Sequence, residues 1–102
     1  MNVDFAKTRR EGIRWLILLA LNHARPLGHG DEPVLSVVQS MFADSTLAEV
    51  RKELDYLALR ELVSISKQPY GAWHCALTRY GVDVAEYSVD CEPGIARPAK
   101  YW

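Results

Sequence analysis

The chain has 102 residues, 49% of them hydrophobic, and a formal net charge of −1. That is enough for one packed core and too little for two. A nearly neutral chain has no global field to draw it onto nucleic acid or an acidic membrane. The longest apolar run, Trp15 to Leu21, is far short of the roughly 20 residues that a membrane helix needs.

The charge is unevenly spread. Lys7, Arg9, Arg10, Arg14 and Arg25 outnumber Asp4 and Glu11 in residues 1–30, while residues 31–60 carry six acids against Arg51, Lys52 and Arg60. A nucleic-acid contact would therefore be local, or doubled by a dimer. Cys75 and Cys91 have no C-x-x-C spacing and form no metal quartet with the three histidines. So few cysteines fit thiols in a reducing compartment. Met1 is followed by polar Asn2 and Asp4 rather than by a cationic and then apolar leader. The expectation is a soluble, cytoplasmic protein.

Residues 5–25, FAKTRREGIRWLILLALNHAR, have the length and composition of a helix. Ile13, Leu16, Ile17 and Ala20 follow helical spacing, and Trp15, Leu18, Leu19 and Leu21 fill the other side. A helix apolar nearly all round is buried nearly all round. A second copy of the chain could cover the surplus, so a homodimer through this helix is expected. The alternative is the central helix of a monomer core. Gly12 weakens the start of the helix.

Pro26, Gly28 and Gly30 break the helix. Asp31 can cap a second helix over residues 32–42, with Pro33 in its first turn and Leu35, Val38, Met41 and Phe42 inward. Asp44 or Ser45 can cap a third over residues 46–60, whose Leu47, Val50, Leu54 and Leu57 form a core stripe. Glu49, Lys52, Glu53 and Tyr56 fall on its opposite side, and Arg51 can pair with Asp55 four residues on.

From Leu62 the period becomes two. Residues 62–67 and 73–78 alternate on either side of Pro69-Tyr70-Gly71, which is the pattern of a hairpin. Thr78 can cap a last helix over residues 79–87, with Tyr80, Val84 and Tyr87 inward. Two prolines and a glycine make residues 88–102 a tail, extended or docked, with Ile95, Tyr101 and Trp102 able to dock on the body or on a partner.

The element order, with Leu77-Thr78-Arg79-Tyr80-Gly81 at the hairpin exit, resembles winged helix-turn-helix domains of the MarR and PadR type over residues 8–87. The compact size is also similar to proteins of Mu-like prophages. The resemblance implies an α+β, mainly α fold in residues 1–87, with a three-helix core, a two-stranded wing and a C-terminal helix. Such regulators usually place glycine between the third helix and the hairpin, where this chain has Glu61. A non-glycine residue pays about 1 kcal/mol for a left-handed turn.

That resemblance implies sequence-specific binding of double-stranded DNA in transcriptional control, with the third helix in the major groove and the hairpin turn on the backbone or minor groove. The residues that would carry it are Thr46, Glu49, Arg51, Lys52 and Tyr56 on the helix, with Lys67 and Tyr70 on the wing. Arg9, Arg10 and Arg14 would add phosphate contacts. The mixed charge of the third helix supports an alternative, a phage- or mobile-element-derived interaction module or adaptor that binds protein instead. Tyr70, Trp73, Tyr101 and Trp102 are its candidate contacts, domain packing being the simpler role for Trp73.

No catalytic, cofactor or metal site is expected. His23, His29 and Asp31 lie close in sequence, but in a glycine-rich loop. His74 and Cys75 are strand neighbours that point to opposite faces, so they cannot act as a catalytic pair.

Overall fold

The computed structural model describes residues 3–102. Four helices, α1 (Phe5–His23), α2 (Asp31–Gln39), α3 (Leu47–Leu59) and α4 (Arg79–Ala85), pack with three strands, β1 (His29–Gly30), β2 (Val63–Lys67) and β3 (Trp73–Leu77). The sheet is antiparallel in the order β1-β3-β2, with Ile65 opposite Cys75. β1 is a two-residue edge that no alternating pattern announces. It is made by pairing with β3, where His29 meets Cys75 and Gly30 meets His74.

The helix α1 is the axis of the core. Asp4 caps it by accepting from the Lys7 amide at 3.0 Å, so Gly12 does not delay its start. Ile13, Trp15, Ile17, Leu18, Ala20 and Leu21 are all buried, on more than one side. The cover comes from this same chain: α2, α3, α4, β3 and the tail residue Ile95 surround the helix. That removes the sequence-based reason for a dimer through α1. Leu19 and Val37 remain partly exposed in a groove between α1 and α2.

Several local expectations are corrected by tertiary contacts. Gly30 occupies the cap position of α2, and Asp31 is the first residue of that helix, buried by Arg51. α2 also ends three residues early, and Met41 is 70% exposed rather than inward. Thr46, not Asp44 or Ser45, caps α3, accepting from the Glu49 amide at 3.2 Å. Ser45 is buried instead, and its hydroxyl accepts from Arg9. In α4 the buried residues include Gly81, Val82, Val84 and Ala85, while Tyr80 stands partly in solvent.

The turn from α3 into β2 explains Glu61. Its φ is 64°, and the Leu62 amide reaches back to Leu57 O while the Glu61 amide reaches Ala58 O, each at 3.0 Å. Those bonds satisfy the last carbonyls of α3 and require a left-handed residue after the helix. The chain accepts the strain of a non-glycine residue here. Tyr87 does the same after α4, with φ 63°.

Leu77-Thr78-x-x-Gly81 is a structural joint. The Thr78 hydroxyl donates to Glu61 O at 2.6 Å and accepts from the Gly81 amide at 3.0 Å, so one side chain caps α4 and ties it to the end of α3. Gly81 packs under the Leu62 carbonyl, where a Cβ would overlap the oxygen. Glycine is needed there for close approach.

The tail is docked. Ile95 is buried, Ala96 N donates to Glu11 O, and Arg97 donates to Val84 O and Val89 O. Tyr87 donates to Pro98 O at 2.7 Å and meets Trp15 and Trp102 edge-on. No helix among the described residues is long and apolar enough to cross a membrane.

Candidate nucleic-acid interface

Three guanidiniums organise the surface around α3. Arg51 reaches across to Asp31 at 2.7 Å and also donates to the carbonyl of Gly71 in the hairpin turn. Its planar group lies over Trp73, 4.8 Å from the ring centroid. Asp31 is buried, so an unpaired carboxylate there would be costly. The fork of Arg51 thus joins the start of α2, the middle of α3 and the hairpin turn. The expected Arg51–Asp55 surface pair does not form, because Asp31 offers Arg51 a drier partner.

Arg9 grips Glu49 with two bonds, Nε at 2.7 Å and Nη2 at 3.0 Å, and reaches Asp44 at 2.9 Å. Both carboxyls are held below their ordinary pKa, first by hydrogen bonding to Arg9. Arg14 is buried and donates to Glu53 at 2.8 Å and to Gly94 O at 2.8 Å. Glu53, placed outward by helical spacing, is 1% exposed for this reason. Tyr56 is also covered. Arg14 and Arg60 lie 3.4 and 3.9 Å from its ring centroid, close enough that they must take opposite faces.

The ten DNA-contact candidates therefore separate into groups. Lys52 and Tyr70 are exposed, and neither makes an ion pair or side-chain hydrogen bond among the described residues. Lys67 is exposed and lies over Trp73 at 4.5 Å. Arg10 lines a groove between α1 and α3 with Ala6, Arg9, Ala48 and Lys52. Thr46 is exposed, but its hydroxyl is committed to the cap. Arg9, Glu49 and Arg51 are held in ion pairs, and Tyr56 is stacked. Arg14 is withdrawn into the interior, which corrects its assignment as a phosphate contact.

The outermost stripe of α3 consists of Ala48, Lys52, Asp55 and Leu59. Sequence spacing passed over Ala48 and Leu59, because neither carries a polar group. Their exposure becomes visible only once Glu49 and Glu53 are taken inward by α1. Among the described residues, no group of three His, Cys, Asp or Glu is placed to hold a metal ion.

No family model matches the chain, and no curated protein does. The fold is similar to a solved structure from Ralstonia eutropha JMP134 described as a "putative dna-binding protein". The match has a TM-score of 0.64 at 20% sequence identity and covers 76% of this chain and 95% of that one. At that identity the likeness concerns the fold alone, which in this chain is four helices and a small three-stranded antiparallel sheet.

Proposed function

We propose that the chain is a winged helix-turn-helix domain that binds double-stranded DNA without catalysis and serves transcriptional control. The observation that carries this reading is the Arg51 bridge. It fixes the hairpin turn to α3 through Gly71 O, so helix and turn present one rigid surface. A rigid helix with an adjoining turn is what groove insertion with a backbone contact beside it requires. Lys52 on the helix and Tyr70 at the hairpin turn then stand free to meet the duplex, and Lys67, though over Trp73, is exposed beside them. Arg10 extends the cationic edge toward α1. The likeness in fold to the Ralstonia chain supports the same reading.

In this arrangement Lys52 and Lys67 contact phosphates, and Tyr70 lies against the backbone. Arg51 acts as a positioning residue, because its donors are already engaged. Binding is modest for a single domain, since Asp55 faces the duplex beside Lys52. The test is retention of duplex DNA, random and from the chain's own upstream region, as a function of salt. The expected result is binding at low salt that Lys52→Ala and Lys67→Ala each weaken, lowering the salt slope by about one. Absence of retention on both duplexes at low salt would end the DNA reading.

A second reading is favoured by Leu59, 84% exposed at the end of α3, and by exposed Tyr101 and Trp102. An α3 stripe with one cation, one acid and two apolar residues suits a protein groove as well as a duplex. A protein-binding module would show no salt-dependent DNA retention, and Leu59→Ser would abolish capture of its partner.

A further inference from the structure

We propose that the cleft which the tail closes over the C-terminal end of α3 binds a free apolar α-amino acid. The cleft encloses about 460 Å³. Its accessible apolar lining comes from Tyr80, Cys91 and Pro93, with Ile95 beneath them and buried Leu62 and Val84 backing the cleft from the core. Arg60 stands on one wall and Glu92 on the tail side, both exposed. Among the described residues neither Arg60 nor Glu92 has an ion-pair partner. The Arg60 guanidinium lies over the Tyr56 ring, 3.9 Å from its centroid, and makes no side-chain hydrogen bond among the described residues.

The class of ligand follows from these three kinds of lining. An apolar floor alone would accept any small hydrophobe. Arg60 adds recognition of a carboxylate. Glu92 would repel a simple carboxylic acid and attract a cation. A zwitterion answers both charges at once, its carboxylate toward Arg60 and its ammonium toward Glu92. An aliphatic or aromatic side chain then lies against Tyr80, Pro93 and Ile95. A fatty acid leaves Glu92 facing a second negative charge, and an alkyl amine leaves Arg60 without an anion. The site stands independently of DNA binding. It joins the end of α3 to the tail, so an occupant would clamp the two together.

The test uses calorimetric titration of the full chain with L-leucine and L-phenylalanine. Isocaproate and isoamylamine serve as leucine analogues that lack the ammonium and the carboxylate respectively. Cys91 lines the same cleft while Cys75 is buried, so the rate of thiol labelling reports occupancy separately. The expected result is saturable binding of the amino acids at millimolar concentration or below, with slower Cys91 labelling. Both one-charge analogues should bind about tenfold more weakly, as should Arg60→Gln and Glu92→Gln proteins tested with leucine. These are exposed positions, and unchanged circular dichroism checks the fold. Absence of saturable heat with both leucine and phenylalanine overturns the proposal. So does binding of isocaproate or isoamylamine as tight as that of leucine.

Discussion

Arg14 and Glu53 form an ion pair at 2.8 Å with both side chains inside the protein, the guanidinium on α1 and the carboxylate on α3. The pair is completed by Gly94 O, which accepts a second bond from Arg14, and by the Tyr56 ring beneath the guanidinium. Two helices and the tail meet at this one charge. Gly94 has φ +107°, and a Cβ there would collide with the Tyr56 hydroxyl, so the tail reaches Arg14 only as glycine.

Removing one partner strands the other in a dry site. Arg14→Ala is therefore expected to lower stability by about 3–5 kcal/mol. The double variant Arg14→Met/Glu53→Leu buries no charge and should be more stable than Arg14→Ala alone. Urea denaturation of the three proteins measures both differences. A single-variant loss below about 1 kcal/mol would mean that the pair contributes as a surface bridge does.

Acid should weaken the Arg9 cluster. Asp44 and Glu49 are depressed below their ordinary values of 3.8 and 4.5 by hydrogen bonding to Arg9. A depressed carboxyl contributes stability that is fully present above its unfolded pKa. That stability is lost as pH falls through the lower folded pKa. Unfolding free energy should thus decline as pH drops below about 4.5, and Arg9→Gln should make that decline shallower. Equal slopes for the two proteins in denaturation series between about pH 6 and about pH 3 would refute the linkage.

The turn residue Glu61 and the helix residue Gly81 should respond in opposite directions. Glu61→Gly relieves a left-handed non-glycine residue, a gain partly offset by the greater freedom of the unfolded chain. The net expectation is stabilisation of about 0.5–1 kcal/mol. Gly81→Ala places a methyl against the Leu62 carbonyl and should cost about 3 kcal/mol. Thermal melts of both proteins decide the signs.

Arg51 is expected to be irreplaceable by lysine. A single ammonium cannot supply the fork that meets both Asp31 and Gly71 O. Arg51→Lys should loosen the hairpin turn, seen as faster exchange of the Gln68 and Gly71 amides, with buried Asp31 left poorly paired. In DNA retention it should lower affinity without the loss of one unit of salt slope expected for Lys52→Ala. A slope change equal to that of Lys52→Ala would make Arg51 a phosphate contact instead.

The local elements were legible in the chain itself because their signals are local. Helical spacing marked Val50, Leu54 and Leu57, the period of two marked both hairpin strands, and Thr78 was readable as a cap three residues before Gly81. Glu61 stood out only through the resemblance, as the position where glycine is usual, and the bonds from Glu61 and Leu62 back to the last helical turn supply the physical reason. Tertiary structure decided which side of each helix is outside. Spacing along α3 cannot show that Arg9 and Arg14, some 40 positions earlier, take Glu49 and Glu53. Nor can it show that Asp31 claims Arg51 from Asp55, or that a two-residue strand adds to β3. A charged residue has the same spacing whether water or a distant partner solvates it. The outward stripe of Ala48, Lys52, Asp55 and Leu59 is what remains after those long-range pairs have formed.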